Sequence, residues 1–99
     1  MTELLSDIEI DEALTGLREW RRDDDGLVRT VESQSFPDAI DLVRRVADEA
    51  ELADHHPDID IRYTSVTYRL STHSVPGHPG GGITGKDVLL AAAIDRLAG

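Results

Sequence analysis

Glu51, His55, His56 and His73 are the side chains in this sequence best suited to moving protons. Histidine changes charge near neutral pH without help from its surroundings, which makes it the commonest general acid or base. Glu51 precedes His55 by four positions, so on a helix the carboxylate and the imidazole share a face one turn apart. His55 also stands at the end of the helical run before Pro57, where the helix dipole favours a cation by about 0.3–1 kcal/mol. Both effects favour a protonated ring, and hence a proton donor. His56 is adjacent, and His73 closes the strand-like run Ser71-Thr72-His73 beside a glycine loop. A lone histidine at a helix end is ordinarily a cap on carbonyls. Three of them at element ends, next to a flexible loop, predict convergence on one pocket.

Other chemistries fit less well. Imidazoles suit zinc, but adjacent histidines on an extended turn point apart, and neither HExxH nor paired cysteines are present. No metal site is expected. The chain has no cysteine and no serine in a GxSxG setting, so nucleophilic catalysis has no candidate. Gly80-Gly81-Gly82 lacks the spacing and the following Lys-Ser or Lys-Thr of a phosphate loop and reads as a flexible connection. His78 within it has no patterned neighbours and is read as a bystander.

The elements that must position these residues are visible in the pattern. Ile10, Leu14, Leu17 and Trp20 recur at helical spacing from a start near Asp7 or Ile10. Asp23-Asp24-Asp25-Gly26, followed by Leu27, Val28 and Val31, reads as a hairpin turn and strand. Ser35-Phe36-Pro37-Asp38 marks a second helix start. Its apolar side is drawn by Ile40, Val43, Val46, Ala47, Ala50 and Ala53, and it ends near His55 because Pro57 disfavours helix before it. DIDIRYTSVTYRLSTH, residues 58–73, alternates as two strands turning near Thr64 or Ser65. Thr84 caps a last helix closed by Gly99. With no internal repeat and no long linker, residues 1–99 are expected to form a single α+β domain with an antiparallel sheet. Helices covering one face of a four-stranded sheet would leave a face and an edge free for self-association.

Bulk composition excludes several partners. Ninety-nine residues with 39% apolar side chains provide for one small core. The net charge of -10 repels phosphate backbones and anionic lipid, so direct nucleic-acid or membrane-surface binding is not expected. Lys86 is the only lysine, an acid-rich and lysine-poor balance that fits a high-salt or GC-rich source. No apolar stretch approaches the roughly 18 residues of a membrane span, and the N-terminus is acidic where a signal peptide is basic. A soluble, cytoplasmic protein is the expectation.

Taken together, Glu51, His55-His56-Pro57, Tyr63, His73 and Asp87 at this spacing resemble the pterin-4a-carbinolamine dehydratase family, and Trp20 stands where that family's first strand carries a tryptophan. The resemblance runs along nearly the whole chain. It implies the order α-β-β-α-β-β-α, four antiparallel strands with three α-helices on one face, and assembly into homodimers or homotetramers. It implies dehydration of 4a-hydroxytetrahydropterin to quinonoid dihydropterin, with no metal or organic cofactor, recycling the pterin used by an aromatic amino-acid hydroxylase. His55 and His73 would be acid and base, His56 would hold the pterin, and Glu51 would tune His55. Ser71 and Thr72 would offer backbone or hydroxyl groups to the ring, Asp87 and Trp20 would complete the pocket wall, and Asp54 occupies a matching position. Relatives of the fold also serve as non-catalytic dimerisation or assembly modules, the alternative reading, against which the full histidine set argues. The loop SVPGHPGGGIT is several residues longer than the family pattern, which would reshape the pocket rim.

Overall fold

Three hydroxyl side chains start the three helices. Ser6, Ser35 and Thr84 are extended residues whose oxygens accept a backbone N–H from the first turn, replacing a hydrogen bond that the helix itself cannot make. In the first and third helices the acidic residue three positions on, Glu9 or Asp87, returns a bond to the cap's own N–H, forming a capping box. A computed structural model describes residues 3–99. Its elements are α1 (Asp7–Leu14), β1 (Arg21–Asp23), β2 (Gly26–Glu32), α2 (Phe36–Ala53), β3 (Asp58–Arg62), β4 (Ser65–Leu70) and α3 (Gly85–Ala98), in the expected order.

α1 is shorter than its apolar stripe. Thr15 Oγ1 bonds the Glu12 carbonyl at 2.6 Å, Gly16 follows, and the chain continues in three-residue turns from Leu14 to Leu17 and from Leu17 to Trp20. Such turns keep nearly the side-chain spacing of a helix, so Leu17 and Trp20 still reach the core although the helix has ended. The buried stripe of α2 keeps Val46 and Ala50 from the expected one but is rotated about them: Ala39 and Leu42 are inside, while Ile40, Ala47 and Ala53 face outward.

The four strands are all antiparallel, in the order β1-β2-β4-β3. Two-residue turns close both hairpins, with Asp24 (φ 56°) and Tyr63 (φ 56°) in the left-handed region. The central pair runs from Leu27 opposite Leu70 to Glu32 opposite Ser65. Leu27, Val31, Val66, Tyr68 and Leu70 share the face that packs on Ile10 of α1, Leu42 and Val46 of α2, and Leu90, Ala91 and Ile94 of α3. The opposite face is polar apart from Val28, and there Thr30 and Thr67 bond each other at 2.8 Å. No described helix is long and apolar enough to cross a membrane.

Tyr68 is the largest fully buried side chain, and its hydroxyl has no hydrogen-bond partner among the described residues. Burial pushes the phenol up to about 12, with Arg45 pulling the other way. An acid whose folded value is raised contributes stability below its unfolded value, near 10, and that contribution is lost as pH climbs toward 12. Alkaline denaturation followed by circular dichroism should therefore begin above about pH 10. Tyr68→Phe should flatten that slope and change stability at neutral pH by no more than about 1 kcal/mol, since no bond is broken. An unchanged alkaline slope would place the sensitivity elsewhere.

Candidate functional site

The end of α2 determines where the two adjacent histidines point. Asp54 turns left-handed (φ 50°, ψ 43°), its N–H bonding the carbonyls of Ala50 and Glu51, and the His55 N–H reaches back to Ala50 at 3.1 Å. This is a Schellman ending, with aspartate where glycine is usual. The reversal carries His55 inward, to 8% exposure, and leaves His56 outside.

The expected pairing of Glu51 with His55 is corrected by this turn. The four-residue spacing holds only while the backbone stays helical, and it does not through Asp54. Glu51 Oε2 instead meets His56 Nε2 at 2.5 Å, with both side chains more than half exposed. His55 finds a different carboxylate: its Nε2 lies 2.5 Å from Oδ1 of Asp87, 32 residues away.

Asp87 is not pocket wall, as the family resemblance implied, but sits fully buried beneath His55. It is the third residue of α3, so the carboxylate that closes the capping box also holds the imidazole. Its Oδ2 accepts the Thr84 N–H at 2.9 Å and the Thr72 hydroxyl at 2.9 Å, and Thr72 Oγ1 lies 2.7 Å from Thr84 Oγ1. Because an ionised carboxylate only accepts, His55 Nε2 must donate, and Nδ1 is left as the ring atom able to exchange a proton.

A cavity of about 400 Å³ opens above this network. Asp54, His55 and His56 line it from the end of α2, Ser71 to Ser74 from the exit of β4, and Lys86 from α3. His73 is exposed at its rim. Six of the expected site residues, Asp54, His55, His56, Ser71, Thr72 and His73, are thus brought together. The hydroxyl hydrogens of Ser71 and Thr72 are already committed, however: Ser71 Oγ donates to the Asp25 carbonyl at 2.8 Å and Thr72 Oγ1 to Asp87, so neither has a hydrogen left to donate to a ligand. Trp20 does not line the cavity. It is buried in the core and donates Nε1 to Asp95 Oδ1 at 2.7 Å, an oxygen that also pairs with Arg29.

Lys86 and Ser74 were not singled out from the sequence. Their neighbours Asp87 and His73 were the available signals, since a residue beside a site residue at a cap or strand exit shares its surroundings. The glycine loop makes backbone hydrogen bonds of its own. Thr72 and Gly82 exchange backbone bonds at 2.8 and 2.9 Å, and a shorter bridge joins Val75 and His78. Gly81 (φ 71°) packs so closely that a Cβ there would lie 1.7 Å from the Thr72 carbonyl oxygen, which leaves room for glycine alone. Among the described residues, no group of three or more His, Cys, Asp or Glu side chains is arranged to hold a metal ion.

Residues 3–97 match the family described as pterin 4 alpha carbinolamine dehydratase. The chain belongs to this family. Similar members of the pterin carbinolamine dehydratase family come from Nocardia farcinica, 57% identical over 97 residues, and Mycobacteroides abscessus, 53% over 96 residues. Each comparison covers 97% or more of both chains, and both relatives bear the name "Putative pterin-4-alpha-carbinolamine dehydratase". Among solved structures, a Brucella melitensis protein described as a transcriptional coactivator/pterin dehydratase superposes with a TM-score of 0.90 at 29% identity, over 98% of this chain and 100% of its own.

Proposed function

We propose that the protein dehydrates 4a-hydroxytetrahydropterin to quinonoid dihydropterin, as a hydro-lyase, by histidine general acid-base catalysis. The observation that carries this reading is His55, anchored through Nε2 to buried Asp87 with Nδ1 left over, in a cavity whose rim carries His73. In its protonated form His55 gives the Nδ1 proton to the 4a-hydroxyl. The C4a–O bond breaks, and the oxygen leaves as water with the bonding pair. His73 takes the proton from N5, whose electrons form the N5–C4a double bond. His56, oriented by Glu51, holds the pterin at the outer rim. Asp87 touches no substrate and acts as a positioning residue for His55. Each well-placed acid or base contributes about 10²–10⁴ in rate.

The test follows loss of freshly generated 4a-hydroxytetrahydropterin by absorbance. Wild-type protein should outpace the spontaneous reaction, and His73→Ala should lose about 10²-fold or more of that acceleration. Folded wild type no faster than buffer would remove the proposal. The coactivator wording attached to the Brucella protein favours a second reading, a non-catalytic assembly module. A stable protein partner retained by His55 and His73 variants, in a protein without dehydratase activity, would be its signature.

A further inference from the structure

Lys86 carries the one ammonium at the cavity, and its side chain is used by neither the capping network nor the acid-base scheme. It is the only lysine among the ten Lys and Arg residues, in a chain carrying 20 Asp and Glu. It stands in the first turn of α3, where the helix dipole disfavours a cation, and its side chain forms no ion pair among the described residues. A cation in that place, unpaired despite the excess of carboxylates, is a local conflict of the kind found at functional sites. Arginine serves wherever this chain pairs a cation with a carboxylate at the surface, as in Arg22 with Asp7 and Arg45 with Asp41. Lysine differs in being a compact charge on a flexible stem, able to follow a ligand group that varies in position.

The surroundings fix the sign of what it would meet. In a molecule of net charge -10, this ammonium shares the cavity lining with a single carboxylate, that of Asp54, while Glu51 and Asp87 are taken up by His56 and His55. Lys86 is thus the lining cation that an incoming anion would meet, and opposite charge raises the local concentration of a ligand. The pterin ring is neutral, so the ring alone gives the ammonium no counter-charge.

The geometry points to Lys86 as a specificity-determining residue that takes an anionic substituent, a carboxylate or a phosphate, carried by the pterin outside its reacting atoms. This rests on the dehydratase reading and adds the class of pterin preferred. A flexible lysine at the rim, outside the His55-Asp87 network, can add affinity for such a tail without altering proton transfer.

The experiment measures binding of stable oxidised pterins by fluorescence, at about 0.02 and 0.5 M salt, to wild type, Lys86→Gln and Lys86→Arg, with circular dichroism as the folding check. The probes are pterin-6-carboxylate, the phosphate ester of 6-hydroxymethylpterin, and neutral 6-hydroxymethylpterin. Wild type should prefer at least one anionic probe about fivefold at low salt, the upper range for an exposed ion pair. That ratio should fall toward one at high salt and in Lys86→Gln, and survive in Lys86→Arg. The two anionic arms tell carboxylate from phosphate. Absence of preference in wild type, or a preference that persists in Lys86→Gln, overturns the inference while leaving the dehydratase reading intact as long as the neutral pterin binds. Failure of all three pterins to bind folded wild type would overturn both.

Discussion

His55→Gln should lower the rate of pterin dehydration by about 10²–10⁴ while the protein still folds and still binds pterin. Glutamine is the informative replacement because of what lies behind the ring. His55 Nε2 is one of the partners of a carboxylate with no solvent access, and removing that donor with alanine would leave buried Asp87 Oδ1 unpaired at a cost of about 1–3 kcal/mol. A rate loss in His55→Ala would mix chemistry with damage. The glutamine amide keeps a donor toward Asp87 but has no proton to give at neutral pH. Steady-state dehydration measured beside pterin affinity separates the two: kcat should collapse and affinity should hold. A His55→Gln enzyme within tenfold of wild type would exclude His55 as the acid.

Asp87→Asn should reduce both stability and turnover, through one mismatched hydrogen atom. Both oxygens of Asp87 accept, one from His55 and the other from Thr72 and the Thr84 N–H. Asparagine offers one acceptor and one donor. With its nitrogen toward Thr84 it would confront a fixed backbone N–H, so the favoured rotamer turns the nitrogen toward His55. The ring must then accept at Nε2, which disfavours the doubly protonated imidazolium needed to release a proton from Nδ1. The same tautomer logic costs the serine-protease triad about 10⁴ when its aspartate becomes asparagine. Here we expect a kcat loss of about 10²-fold or more with pterin affinity largely retained. The stability cost should be about 1–3 kcal/mol, or roughly 5–20 °C in Tm for a chain of this size. Asp87→Ala, which also abolishes the cap, should cost on the order of 3–5 kcal/mol. Thermal melts and kinetics on both variants check this, and an Asp87→Asn enzyme with normal kcat would show that the carboxylate serves only the helix.

Much of the fold was legible because local signals agreed with the final packing. Hydroxyl caps at Ser35 and Thr84, the Asp-Gly turn at Asp23 to Gly26, and the alternation of Val66, Tyr68 and Leu70 each describe a backbone state within a few residues. Elsewhere the deciding contact is not local. The stripe from Ile10 to Trp20 could not reveal that the helix stops at Leu14, since tighter turns keep almost the same spacing. On α2, Ala50 lies inside as expected but Ala47 and Ala53 face outward, because alanine is tolerated inside and outside alike. The histidines of the site were legible from residue type and spacing, but their partners were not. Asp54 adopts a left-handed conformation with no glycine to announce it, and the pairing of His55 with Asp87 joins two helix ends 32 residues apart in sequence. Trp20 shows the reverse: in this chain its indole is buried in the core and bonds Asp95 of α3, away from the cavity.

The double duty of Asp87 ties catalytic readiness to local breathing of the polypeptide. Any fluctuation that opens the first turn of α3 withdraws the carboxylate from His55, so under the proposed acid role of His55 proton transfer would fall with the fraction of molecules in which that turn is unwound. Under that proposal, fraying that would be silent at an ordinary helix end would become lost turnover, and a ligand that holds His55 in place would tighten a helix it does not touch.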